Sequence, residues 1–226
     1  MKLTKEGIAV IEGDNYLSAD IIAQGRLDVA REALLQYKKY IPEGGVVVDV
    51  GACLGDMTAT FSEFVGPTGW VHAFEPNPEV MECLCYNLNM SLNKQENVLL
   101  YDLALGATKG QANIVIDHHN IGASYLHGIN NGTVEVWPLD DFTGAWARLD
   151  FMKIDAEGWE PWVLEGAAKT LRRLRPVLLV EIDQRALGFQ GFKPVDVHMK
   201  LDGLGYNFPR FDGAHGDILC VPKKHQ

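Results

Sequence analysis

Residues Val46–Thr58 read VVVDVGACLGDMT. Val46, Val47, Val48 and Val50 form a β-branched run interrupted only by Asp49, and a turn holding Gly51 and Gly55 leads into a helix-like segment. A strand buried on both faces of a parallel sheet has this character. In an open α/β sheet a ligand of nucleotide size lies beyond the carboxyl ends of such strands. The glycines are spaced G-x-x-x-G, so the dinucleotide fingerprint G-x-G-x-x-G is absent.

The chain on either side repeats the same alternation. Upstream, Ala30, Ala33, Leu34, Tyr37 and Ile41 recur at helical spacing within Leu27–Ile41, which Pro42 and Gly44-Gly45 terminate. Downstream, the pattern predicts a helix near Asp56–Val65, a strand at Trp70–Phe74, a helix over Glu79–Leu92 and a strand at Val98–Tyr101. Gly106–Phe142 is rich in Gly, Asn and His, with strand-like pieces at Ala112–Ile116 and Thr133–Trp137; it reads as an antiparallel addition or lid. The rhythm resumes with a strand at Phe151–Ile154, a helix over Pro161–Leu174 and a strand at Val177–Val180 that leads into Glu181. A helix opening at Pro194 follows, then two short strands at Tyr206–Phe208 and Ile218–Val221. The expected fold is α/β: one doubly wound, mostly parallel seven-stranded sheet with an antiparallel last strand and helices on both faces. Residues 1–45 are expected to form an N-terminal cap of the same domain, and 46–226 the ligand-binding domain with its insertion at about 106–142.

Bulk properties narrow the function. At 226 residues, 47% hydrophobic and 22% charged, the chain suits one globular domain with a full core. A formal net charge of −10 opposes binding to phosphate backbones, so no nucleic-acid partner is expected. No apolar run nears the ~20 residues of a membrane span, and MKLTKEG does not read as a leader, so a cytoplasmic protein without a membrane partner is expected. Cys53, Cys83, Cys85 and Cys220 show no metal-ligand spacing and read as reduced thiols.

Four strands end in, or lead into, an acid: Asp49, Glu75, Asp155 and Glu181. Their shared edge implies a cleft that favours cations. Gly51 and Gly55 allow close backbone approach, and Asp49 beside them suits the cationic amino-acid end of S-adenosyl-L-methionine better than a pyrophosphate. Asp49 as a helix-capping residue is the plainer alternative. Glu75 sits where an acid accepts ribose hydroxyls; a surface turn acid beside two prolines is the other reading.

VVVDVGACLGDMT, HAFEPNP, PLDDF, FMKIDAEGWEPWVLEGA and RPVLLVEID together resemble the successive blocks of the FkbM-type methyltransferases that use S-adenosylmethionine. The resemblance covers roughly Gly45–Asp183, with K-I-D-x-E-G-x-E its most specific block. It implies a class I methyltransferase fold, with Asp49, Gly51, Cys53 and Gly55 around the methionine part of the cofactor and Glu75 at the ribose. It further implies Asn77 and Asp102 near the adenosine, and Asp155 beside the sulfonium and the incoming nucleophile. The chain departs from the family at Cys53, where Asn is usual, and so lacks a side-chain amide there.

Methyl transfer is an in-line displacement whose catalysis is largely alignment, and a hydroxyl acceptor also needs a base. Asp155, Glu157, Glu181, His118 and His119 are the candidates; a helix-capping role for the acids and solvation for the histidines are the alternatives. Trp159 and Trp162 offer a ring to a sulfonium or pack the following helix. The expected activity is O-methylation of a small-molecule or sugar-like hydroxyl. A cofactor-binding module without catalysis, and an NAD-type oxidoreductase, are the competing readings. A metal-dependent variant would need a cluster of oxygen ligands; Asp155 and Glu181 supply two and no third is evident, so no metal is expected. Oligomeric state is not legible.

Overall fold

The computed structural model describes residues 1–90, 95–129, 131–209 and 213–224. The chain opens with an antiparallel pair, β1 (Lys2–Leu3) and β2 (Ala9–Val10), then α1 (Leu17–Gln24) and α2 (Arg31–Leu34). Next come β3 (Val46–Val50), α3 (Asp56–Val65), β4 (Trp70–Phe74), α4 (Pro78–Cys85) and β5 (Val98–Tyr101). β6 (Ala104–Leu105) leads into the insertion, which adds β7 (Gly110–Val115), β8 (Tyr125–Ile129) and β9 (Val134–Trp137). The second half holds β10 (Phe151–Ile154), α5 (Glu160–Gly166), α6 (Ala168–Leu174), β11 (Val177–Asp183), α7 (Gln184–Phe189), α8 (Pro194–Gly203), β12 (Tyr206–Asn207) and β13 (His215–Pro222).

Seven strands form the central sheet in the order β12-β13-β11-β10-β3-β4-β5. β11, β10, β3, β4 and β5 run parallel, and the last strand, β13, runs antiparallel to both its neighbours, as expected. The chain proceeds outward from β3 in one direction and from β10 in the other. The β3/β10 junction is therefore the topological switch point, where a crevice opens beyond the carboxyl ends. Strand alternation divides the apolar residues between two layers. Val48, Val50, Met152 and Ile154 pack on the face covered by α5, α8 and the insertion, and Val47, Val71, Ala73 and Phe151 on the face covered by α3. The N-terminal pair and α1 pack through Ala9, Val10 and Ile21 onto Leu54, Val80 and Ile121. Among the described residues no helix is long and apolar enough to cross a membrane. All four cysteines are free.

Several elements depart from the sequence expectation for local reasons. The expected helix Leu27–Ile41 is α-helical only at α2 and continues as a 3₁₀ turn, Leu35–Tyr40. The tighter winding stacks residues three apart, and it brings Leu34, Tyr37 and Tyr40 together against the core. α4 passes into a π-helical turn at Tyr86–Met90, and residues 91–92 of the expected helix lie outside the described residues. The expected helix Pro161–Leu174 is two, α5 and α6. It bends where Gly166 closes on the Gly106 carbonyl, which a Cβ would approach to 1.9 Å. β6 and the insertion form a four-stranded sheet, β6-β9-β7-β8, one strand pair richer than the sequence pattern showed. β11 continues past Val180 to Asp183, so Glu181 lies within the strand, opposite Asp217 of β13.

Candidate active site

A cavity of about 270 Å³ lies at the switch point. Residues following β3 (Gly51, Cys53) and β10 (Asp155, Glu157) form part of its wall, Glu75 follows β4 into it, and residues 120–124 of the insertion roof it. The register pairs Val50 with Ile154, which sets Gly51 beside Asp155. Gly51 has φ +76°, and a Cβ there would stand 1.9 Å from the Asp155 carbonyl oxygen. Only glycine fits both the conformation and the space.

Glu75 is clamped by two backbone amides: Cys53 N–H donates to its Oε2 at 2.9 Å and Asn77 N–H to its Oε1 at 2.8 Å. Burial nevertheless pushes its carboxyl up to about 7. Asn77 caps α4, accepting from Glu79 N–H at 3.1 Å, and holds Glu75 from behind; it is absent from the cavity wall. Asp102 is exposed and off the wall, which its neighbour Leu103 joins instead. Gly55 also lies off the wall. Its φ of +94° and a would-be Cβ 2.8 Å from the Leu84 side chain assign it to the packing of α3.

Asp49 is fully buried beneath the wall, on the face covered by α3, where its short side chain does not reach the cavity. There the Thr58 hydroxyl donates to its Oδ2 at 2.6 Å. What reaches the cavity in its place is Lys153, paired with Asp49 across β10 and β3. Its Nζ lies 3.1 Å from the Gly51 carbonyl, 3.0 Å from Asp155 Oδ2 and 3.9 Å from Asp49 Oδ1. Burial works against its charge, but Asp155 and Asp49 outweigh it and hold the ammonium above its ordinary range. The acids at the strand ends do not point to Lys153, but a lysine inside the apolar strand FMKI is itself a signal of a buried ion pair.

Asp155, Glu157 and Glu181 bring carboxylate oxygens within 4.8 Å of one another. Glu157 thus adds a third carboxylate to the pair that the sequence pattern offered; carboxylate oxygens are the donor type that hard cations take. Burial opposes the Asp155 charge, yet Lys153 and a hydrogen bond from Glu181 keep its carboxyl below the usual range. Glu181 is displaced upward by burial and by Asp155; it stands off the cavity wall and meets His215 Nε2 at 2.8 Å. Glu157 is pushed up to about 8, first by burial and then by Asp155. His118 and His119 are exposed and absent from the wall, to which Asn120 and Ser124 contribute. Trp159 packs on Trp162, with ring centroids 4.2 Å apart, and also lines the cavity.

The chain matches a family model, the methyltransferase FkbM domain, over residues 49–208. No curated protein matches it. Among solved structures it is similar to a methyltransferase FkbM from Methylobacillus flagellatus KT, with 15% identity and a TM-score of 0.55 over 89% of this chain and 52% of that one. It is similar to precorrin-6y C5,15-methyltransferase from Geobacter metallireducens GS-15, with 14% identity and a TM-score of 0.55 over 97% and 96% of the two chains. Aeropyrum pernix fibrillarin, solved with natively bound S-adenosyl-L-methionine, shares 15% identity and a TM-score of 0.50 over 84% of this chain and 74% of its own. At such identities these likenesses are of fold.

Proposed function

Because this chain belongs to the FkbM family of methyltransferases, we propose that it moves a methyl group from S-adenosylmethionine to a hydroxyl of a small-molecule acceptor enclosed beneath residues 120–124. When bound, that cofactor supplies a methyl group activated by a sulfonium. The cavity suits it in charge and in donor set. Glu75 keeps lone pairs free beyond the two amides it accepts, enough for a ribose diol. Phe74, Val80 and Leu103 add apolar wall for a base. Asp155, held ionised by Lys153, supplies negative charge at the same wall.

The observation that carries the hydroxyl reading is Glu157. It stands in the cavity wall with φ +51°, one of three non-glycine residues with positive φ among those described, and Cys53 in the same wall is another. Such backbone costs roughly 1–3 kcal/mol and collects at functional sites. With a carboxyl near 8, Glu157 is matched to taking a proton from a hydroxyl near neutral pH. Lys153 keeps Asp155 charged, and the roof sets Ile121 and Ala123 beside the polar Asn120 and Ser124. A solvent-screened acidic wall disfavours acceptors that carry phosphate.

Titration of the purified protein with S-adenosylmethionine tests the cofactor, with Glu75→Ala expected to weaken binding by tenfold or more, since a charge-assisted hydrogen bond contributes roughly 1.5–3 kcal/mol. Release of S-adenosylhomocysteine with a hydroxylated acceptor is expected to rise with pH through about 8 in the wild type and to be lost in Glu157→Gln. Tighter binding of NAD, or an unchanged pH profile in Glu157→Gln, would contradict the reading.

A further inference from the structure

The family match begins at residue 49, yet a residue well before it secures the roof of the cavity. Asp14 is 6% exposed and accepts three backbone amides. Tyr16 N–H donates to its Oδ1 at 3.2 Å and Ser18 N–H to its Oδ2 at 2.7 Å. The third donor is Ile121 N–H, to Oδ1 at 3.3 Å, across 107 residues of chain. Beside it, Asn15 N–H donates to the His119 carbonyl at 2.9 Å. The roof is a compact loop in its own right: Asp117 Oδ1 accepts from His119 and Asn120 N–H, and Ser124 Oγ accepts from Asp117 N–H. These bonds hold the loop together, and Asp14 ties it to the N-terminal segment by hydrogen bond, beside the Asn15–His119 backbone bond and the apolar packing of Ile121 with Ala9, Val10 and Ile21. Leu17, three residues on, also lines the cavity.

We propose that Asp14 is a positioning residue: by holding the Ile121 amide it keeps residues 120–124 closed over the cavity and sets how fast the spent cofactor leaves. This rests on the cofactor assignment above. A buried carboxylate that takes amides from two distant segments fixes their relative position more strongly than neutral contacts would. A lid of this kind commonly governs product release.

The test measures dissociation of S-adenosylhomocysteine from the full chain together with hydrogen exchange at the Ile121 amide. Asp14→Ala is expected to speed dissociation roughly tenfold, corresponding to about one charge-assisted contact, and to remove protection at Ile121. Asp14→Asn keeps an oxygen for Ile121 and is expected to restore most of the slow release. Ser18→Ala is the control. It removes the Ile11 N–H contact of 3.1 Å within the same N-terminal segment and leaves the Ile121 contact intact. It is expected to lower Tm without quickening release. Unchanged release in Asp14→Ala overturns the proposal, as does equal quickening in Ser18→Ala. Should Asp14→Ala not fold, Asp14→Ser, which removes the carboxylate, takes its place, and release faster than in Ser18→Ala is then required. A wild-type protein that does not bind S-adenosylhomocysteine refutes the cofactor assignment instead, and Ile121 exchange still reports whether Asp14 holds the loop.

Discussion

Lys153 is the residue on which the charge balance of the site turns. Its side chain is 7% exposed and it faces two acids, one of them fully buried. Removing one partner of a buried pair leaves an uncompensated charge and costs roughly 3–5 kcal/mol. Lys153→Met is therefore expected to lose about that much stability in denaturant unfolding, with Lys153→Met/Asp49→Asn recovering part of it. Independent, additive losses from the two substitutions would contradict the pairing. Glu75 and Asp155 were legible because each directly follows the last residue of an apolar strand, β4 and β10. Which of the acids reach the cavity was not, because that depends on side-chain direction and length: Glu75 and Asp155 line it, while Asp49 lies buried beneath it. Asp14 was invisible for a different reason. Its three amide donors include one 107 residues distant, and no local pattern announces such a contact.

At the scale of elements, the turn after β3 was readable because its requirements are steric and local. Gly51→Ala is expected to cost more than about 3 kcal/mol, combining an unfavourable positive φ with a clash against the Asp155 backbone. Gly7→Ala provides the comparison. Its φ is +78° with open space around the would-be Cβ, so only the conformational cost of about 1 kcal/mol remains. Equal losses in denaturant midpoint would refute the close approach of β3 and β10. β3, β4, β5 and β10 match their sequence expectation residue for residue, because each is a short apolar run bounded by breakers. The helices were less legible. Helical periodicity survives a 3₁₀ segment or a bend, and only packing, such as Gly166 against Gly106, decides where the winding changes. β8 has no clean apolar pattern, because its sequence YLHGI carries a histidine and a glycine; α7 is only six residues long and is started by Asp183 accepting from Arg185 and Ala186 N–H.

Over the whole molecule, buried acids make stability depend on pH in an unusual direction. Burial pushes Glu75 and Glu160 up to about 7 and Glu157 to about 8, all above their unfolded values. Between those unfolded values and the folded ones the native state binds more protons, so it loses stability as pH rises. His72, pushed down to about 4 by burial, opposes this only below about 6.5. The ligand-free protein is therefore expected to show a Tm that falls from pH 6.5 to 8.5, and the rise in Tm on adding a cationic cofactor is expected to be larger at the upper end. A flat profile in scanning calorimetry would contradict the burial of these carboxyls. The bridge from Lys153 to Gly51 has one more consequence, for synthesis. The two residues are 102 positions apart. At ribosomal rates of about 5–20 residues per second, the β3 turn waits roughly 5–20 seconds for its lysine. During that interval Asp49 has the Thr58 hydroxyl as a partner but not yet the Lys153 ammonium. The charge balance beneath β3 is thus completed only once β10 has been made.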